Sequence, residues 1–421
     1  MGFLLCGVLA LFTGLPLLLF PRHLPSVEKV DVEDRPVMMT FVTSLKELPI
    51  QTRKLFSNFT WLFISLCIIS EQSITTGFVV FIAKYFQVSF DLSASMANII
   101  TGSVIIPGAC TGILAGSLLM RLMRKRNPTL GLAGIAKFLI ILSIFPALAV
   151  ILLLFLGCKK IDLAGITSDY SSGAENALNV IEVKYQKTLR SSCNANCACS
   201  QSTYMPVCGF DQKTYYSPCH AGCTQLDIYE DLSGLIVRNY SSCQCIYQDF
   251  VHSGDTAFPG KCDNSCYNLV PFLVIVFFIV FLTACGQNAS LIITLRSVAP
   301  ERRSFALGIQ NFLSRILALI PAPIYFGRIF DSQCLLRSPG CERDGACLEY
   351  DTRRLPFVLF GTCLAIKLVS IVFLAVTYMS CRRDLDKKVP VDDNASSSPG
   401  DTTSNVSTQD SASTMTVNTV C

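Results

Sequence analysis

The sequence predicts an all-α polytopic membrane protein interrupted by a disulfide-rich insertion, and three observations lead there. Of 421 residues, 51% are hydrophobic and 15% charged, with a mean hydropathy of +0.49; a soluble globular chain does not carry that balance. The apolar residues gather in runs of the length that crosses a bilayer, about 20 helical residues for a core of roughly 30 Å. Eleven of the 21 cysteines crowd between Cys158 and Cys266, in a stretch with little else to bury.

Seven segments qualify as spans, near 2–20, 59–83, 95–120, 129–157, 268–295, 304–327 and 355–380. Charged or proline-containing stretches bound each of them. The first begins at Met1, where a secretory signal would stand, but it lacks a basic start and contains Pro16, so we read it as a span.

Positive charge in short connections stays on the cytoplasmic side. Connections 21–58, 121–127 and 296–303 and the tail after 380 hold 6, 4, 3 and 4 basic residues, whereas 84–94 and 328–354 hold 1 and 5. The first residues are therefore expected outside and the C-terminus inside, with 158–267 and 328–354 as extracellular loops. The 21–58 linker is then cytoplasmic, and its 42–58 part is a candidate interfacial amphipathic helix. The tail 381–421, rich in Ser, Thr and Asp, has little to bury and is expected to be disordered. Its last residues, Thr419-Val420-Cys421, weakly resemble a PDZ-domain ligand.

An extracellular, oxidising position predicts paired cysteines, because a loop of about 110 residues with little apolar content cannot be held by burial. Zinc is the competing reading for Cys193-x3-Cys197-x-Cys199, but matched Cys-x2-Cys pairs are missing and the compartment is wrong. The second loop adds Cys334, Cys341 and Cys347, making fourteen, an even number compatible with complete pairing.

The run Tyr204-Met205-Pro206-Val207-Cys208-Gly209-Phe210-Asp211-x2-Thr214-Tyr215, followed by Cys219-x3-Cys223, resembles the Kazal module of serine-protease inhibitors. That resemblance implies a core over about 187–247 and the pairs Cys193–Cys223, Cys199–Cys219, and Cys208 with Cys243 or Cys245. Inhibition would need an exposed loop after Cys199, with Gln201 near the specificity position. A module tethered between spans is better suited to an architectural role.

Together with "RSVAPERRSFALGIQ" (296–310) and "PAPIYFGRIFDSQC" (321–334), a Kazal-like loop between spans resembles the organic anion transporting polypeptides over about residues 1–383. The resemblance implies a major-facilitator fold of twelve spans in two six-helix bundles, with the Kazal-like loop between spans nine and ten. Counting back from that loop makes the first segment span six. Spans one to five, and the Trp-rich signature before span six, have no counterpart here. The expected architecture is thus a partial major-facilitator fold, span six plus the C-terminal six-helix bundle. The implied activity is sodium-independent transport of amphipathic organic anions, such as steroid conjugates, bile salts, prostaglandins or thyroid hormones, by alternating access at the plasma membrane. It should be incomplete without the N-terminal half. The expected partners are those anions, the bilayer and that half, with no cofactor and no nucleic acid.

Charges within spans cost about 2.5–3.5 kcal/mol each at a helix centre, so those present mark function or pairing. Arg315 lies eleven residues into its span, roughly 16 Å deep, and is read as a cavity-facing cation for substrate, with a structural hydrogen bond to a broken-helix carbonyl as the alternative; it also matches a basic family position that matters for transport. Lys84, near the outer end of its span, matches another such position, with simple snorkelling to the surface as the alternative. Glu71 is mid-span and requires a partner, in a structural pair or a proton-linked role. Lys137 and Lys367 are expected in interfacial or packing roles. Gln287 and Asn288, beside Gly286, are candidate polar wall residues for substrate, with interhelical hydrogen bonding as the alternative. Gly112-x3-Gly116 permits close helix approach. Arg121 belongs to "GSLLMRLMRK" (116–125), a degenerate form of the gating motif of major-facilitator proteins that lacks its acidic residue. Of the sequons at Asn58, Asn239, Asn288, Asn394 and Asn405, only Asn239 falls in an expected extracellular loop, and there we expect glycan.

Two unrelated readings compete. Seven spans with this orientation also fit a G-protein-coupled receptor, but "MRLMRKR" (120–126) holds no Asp-Arg-Tyr-like triplet and "KLVSIVFLAVTYM" (367–379) no Asn-Pro-x-x-Tyr. A membrane-tethered protease inhibitor is the other. No enzyme is expected: His23, His220 and His252 lie in connections, and no phosphate-binding Gly-Lys-Ser/Thr run appears.

Overall fold

A computed structural model describes residues 2–18, 48–127, 131–157, 162–170, 188–230, 236–246, 255–262, 266–338 and 345–386. The tail beyond 386, its terminal tripeptide, Asn394, Asn405, Cys158 and Cys341 lie outside these residues, as does most of the 21–58 linker; residues 381–386, expected to be disordered, instead continue the last helix.

Helix α1 runs Gly2–Leu18, and a short helix covers 48–56. Long helices follow as α2 (Phe59–Ser89), α3 (Ala94–Arg126), α4 (Leu132–Phe155) and α5 (Leu269–Arg296). The next span is broken into α6 (Arg303–Ser314), a π-helical turn Arg315–Leu319 and α7 (Pro321–Asp331). Helix α8 (Leu355–Asp386) is last. Six helical segments among the described residues are long and apolar enough to cross a membrane. The expected seventh, α1, has 17 residues, about 26 Å of helix, and its described side chains are mostly exposed.

The helix starts are set locally. The Asn58 side chain accepts from the Trp61 N–H and Ser93 from the Met96 N–H, which satisfies otherwise orphaned donors. The break before Pro321 has a chemical cause. Proline has no N–H to give the Leu317 carbonyl, the turn widens, and the Ile320 N–H reaches the Arg315 carbonyl at 3.1 Å instead.

Two apolar clusters hold the bundle. Near one end, Tyr85, Phe86, Phe90, Phe272, Phe326 and Phe360 interlock, with Tyr85 5.5 Å from the Phe272 ring and 5.2 Å from the Phe360 ring. Towards the other end Ile64, Met120, Ile135, Leu139, Ile293 and Leu374 pack together. Small residues let α3 lie directly on α5. A Cβ at Gly112 would strike the Phe281 carbonyl oxygen, and one at Gly116 would strike that of Cys285. Without a hydrophobic drive between helices in lipid, such close backbone approach supplies much of the packing energy.

Between α4 and α5 the cysteine-rich region forms a five-stranded sheet, order β2-β1-β5-β4-β3, from β1 (Val207–Gly209), β2 (Thr214–Tyr215), β3 (Cys223–Glu230), β4 (Ile236–Cys243) and β5 (Ala257–Pro259). Its disulfides join Cys193 to Cys245, Cys199 to Cys219, Cys208 to Cys262 and Cys223 to Cys243. Cys199–Cys219 coincides with the expected set, and the other pairings are corrected. The β3–β4 register places Cys223 opposite Cys243, so those two bond and Cys193 takes Cys245. Strand β5 pairs with β1 and brings Cys262, rather than Cys243 or Cys245, to Cys208. The stapled unit therefore extends past the expected limit near 247. Complete pairing also fails, because Cys197 is an exposed free thiol. Asn239 sits in β4 opposite Asp227.

Strands β6 (Cys334–Arg337) and β7 (Cys347–Tyr350) form a second hairpin, closed by Cys334–Cys347. It holds the sheet domain against the bundle. Tyr204 Oη donates to Glu349 Oε1, and Lys261 pairs with the same carboxylate. Burial, with the neighbouring Glu349 charge, pushes the Tyr204 hydroxyl pKa well up, so this donor keeps its proton.

Candidate functional site

A space with a mixed polar and apolar lining lies inside the bundle. It is a cavity of about 260 Å³ walled by α2, α4, α5, α6 and α8. Helix α2 lines it with Cys67, Glu71, Gln72 and Thr75, spaced to share one face. From α5 come Thr283, Gly286, Gln287 and Ser290, and from α6 Gln310 and Asn311. Gln310 is buried, and its Nε2 donates to Thr294 Oγ1 at 3.4 Å.

The charges within it neutralise each other. Lys367 Nζ donates to both Glu71 oxygens, at 2.8 and 2.9 Å, and Ser370 Oγ donates to Oε1 at 2.6 Å. A carboxylate in a low-dielectric interior needs such a counter-charge. Of the interfacial and packing roles expected for Lys367, the interfacial one is corrected: its side chain is 8% exposed and reaches inward across the bundle to α2. The sequence signal was available, since Glu71 and Lys367 are unlike charges within two apolar runs, but nothing in one dimension aligned them. With the ion pair closed on itself, the cavity offers amides, hydroxyls and apolar walls. Its volume lies below the ~300–1,000 Å³ usual for a ligand site, so alone it holds part of a drug-sized molecule.

The sequence-predicted residues divide. Glu71 and Gln287 line the cavity. Asn288 turns to α3, where its Nδ2 donates to Ile113 O at 3.0 Å and Ser117 Oγ at 2.7 Å, an interhelical bond. Arg315, read as cavity-facing, does not line this cavity. It is exposed at the start of the π turn, one turn beyond Asn311, and no described residue bonds its guanidinium. Lys84 lies instead at the hairpin junction, with its Nζ 5.8 Å from the Tyr350 ring centre, an arrangement suited to a cation–π contact. Lys137 is exposed near the start of α4. Arg121 lines a separate pocket between α3 and α5 with Arg124 and Lys125. The polar residues Gln72, Thr75, Gln310 and Asn311 were missed because an uncharged side chain in a span carries little signal until the helices are placed.

Six membrane-length helices among the described residues, around an interior space with a mixed polar and apolar lining and with a disulfide-stapled domain between two of them, define a multi-pass membrane protein. Comparison with known proteins gives the particular family. The model described as the Organic Anion Transporter Polypeptide (OATP) family matches residues 1–355, and the chain belongs to that family. Mouse solute carrier organic anion transporter family member 4A1 is 31% identical over 417 residues, 94% of this chain and 56% of the relative. Mouse member 4C1 is 32% identical over 390 residues, 88% of this chain and 51% of the relative. Human member 6A1 is 27% identical over 408 residues, 93% and 54%. The chain thus spans about half the length of the curated relatives it matches. The family's members are transporters and not enzymes, and membership disfavours the receptor and inhibitor readings.

Proposed function

We propose that this chain contributes the C-terminal bundle of an alternating-access transporter for amphipathic organic anions, such as steroid conjugates, in a major-facilitator fold. The observation that carries it is the cavity walled by amides, hydroxyls and apolar side chains within the bundle. Such a wall suits a ligand with a large apolar body and few polar groups. An N-terminal bundle would close the other side, and α1 would be the last helix of that bundle. Arg315 would then face the central path, since a guanidinium roughly 16 Å into the span is costly against lipid.

In this reading the sheet domain is a Kazal-like extracellular module with an architectural role, the C-terminus is cytoplasmic, and the protein resides in the plasma membrane. The exposed thiol of Cys197 tests the sidedness. A membrane-impermeant maleimide should label intact cells and lose most of its signal in Cys197→Ser; label that appears only after permeabilisation reverses the topology. Asn239 is the proposed glycan site, and Asn239→Gln should abolish the endoglycosidase shift.

Transport itself is tested by joining this chain to the N-terminal bundle of a relative. Uptake of a sulfated steroid, normalised to surface protein, should exceed that of either half expressed alone. Uptake equal to the better single half rejects the proposal.

A further inference from the structure

Arg121, Arg124 and Lys125 sit on one face at the end of α3 and line a pocket of about 530 Å³ against Leu291 and Ile292 of α5. Arg296, at the end of α5, lies within electrostatic reach of Arg124 and of Arg303. None of these five cations enters an ion pair among the described residues. Like charges gathered without counter-charge repel one another, and a bound polyanion removes that penalty. The pocket also adjoins an exposed apolar strip. Leu114, Leu118 and Leu122 of α3 are 71, 58 and 53% exposed and lead from the cations along the helix, where an acyl chain would lie.

We propose that this pocket binds the polyphosphorylated headgroup of a membrane lipid, a phosphoinositide-type ligand, distinct from any transported anion. Guanidinium groups suit phosphate because their planar donors bond two oxygens at once. More than one phosphate is called for, since three cations line the pocket and Arg296 stands close to one of them, Arg124. The leaflet agrees: the proposed topology places this end of the bundle at the cytoplasmic face, where such anionic headgroups reside. A headgroup there would bridge α3 and α5 at the end opposite the stapled domain, and so bias how the two helices move.

The test uses the full chain purified in detergent. Binding of dioctanoyl phosphatidylinositol bisphosphate is measured against dioctanoyl phosphatidylcholine and soluble inositol trisphosphate. Strong preference for the bisphosphate lipid is expected. The triple variant Arg121→Gln, Arg124→Gln, Lys125→Gln should lose on the order of a hundredfold, at roughly fivefold per cation. Arg121→Lys with Arg124→Lys should retain most binding, and Arg382→Gln with Arg383→Gln, a basic pair outside the pocket, should leave it unchanged. If the triple variant does not fold, each single Gln variant should lose about fivefold. Equal binding of phosphatidylcholine, parent-like affinity in the Gln variants, or inositol trisphosphate binding as tightly as the lipid overturns the proposal. None of these outcomes depends on transport activity.

Discussion

Lys367 Nζ lies 2.8 and 2.9 Å from the two oxygens of Glu71, a residue 296 positions earlier in the chain, and the contact ties α8 to α2 within an apolar bundle. Removing one partner strands the other charge. Glu71→Gln or Lys367→Met should cost about 3 kcal/mol, near the low end for a buried pair because Glu71 keeps 23% exposure. The double change Glu71→Leu with Lys367→Met should recover most of it. Thermal unfolding midpoints of the purified chain decide the matter, and singles as stable as the parent remove the pair from the account of stability.

Gly116 should tolerate no larger side chain. Its Cβ would meet the Cys285 backbone, which cannot move aside, so Gly116→Val should separate α3 from α5 and lower both the midpoint and the surface level. Gly308 of α6 has nothing within 4 Å of a Cβ. Gly308→Ala should be neutral or stabilising by about 0.5–1 kcal/mol. Equal damage from both changes would contradict the close approach.

Non-reducing peptide mapping should recover Cys193 with Cys245 and Cys208 with Cys262. Breaking the latter, which spans 54 residues, should cost about 4 kcal/mol and destabilise the sheet domain before the bundle. Recovery of a Cys193–Cys223 peptide would restore the pairing implied by the Kazal resemblance.

Acid should weaken the stapled domain through His220. Its ring is buried, with Nδ1 2.8 Å from Ser217 Oγ and the Tyr216 ring 4.9 Å away, and burial lowers its pKa below 6.5. Between the folded value and 6.5 the unfolded chain binds the extra proton, so stability is lost as pH falls through that window. The domain's unfolding midpoint should drop on acidification below neutrality, and His220→Asn should flatten that part of the slope. An unchanged slope in the variant refutes the assignment.

Arg315 provides the transport prediction. In the joined, complete transporter, Arg315→Ala should lower surface-normalised uptake of a sulfated steroid, through KM, turnover or both. Arg315→Lys should retain part of it, because the charge survives and the forked geometry does not. Normal uptake by the alanine variant removes Arg315 from the anion path.

Six of the seven expected spans, the cysteine-rich insertion and the likeness to the transporter family were legible in one dimension, because each rests on local composition or on a short motif. Six helices follow the apolar runs to within a few residues, save where long helices continue past the membrane core, as α2 does to Ser89. The break at Arg315–Leu319 has a local cause in the N–H that Pro321 lacks, yet Pro107 and Pro146 lie within unbroken helices, so a proline alone does not fix where a span breaks. Pairing was not local. Which sulfur meets Cys208 depends on β5 lying beside β1, and which cation meets Glu71 depends on α8 lying beside α2. The same holds for Asn288, whose amide had two plausible uses until α3 came within 3.0 Å. Hydropathy constrains each segment separately, whereas a disulfide, an ion pair or a cavity wall requires two segments to be neighbours. Adjacency is decided by packing, through contacts such as Gly116 on the Cys285 backbone that no single segment contains.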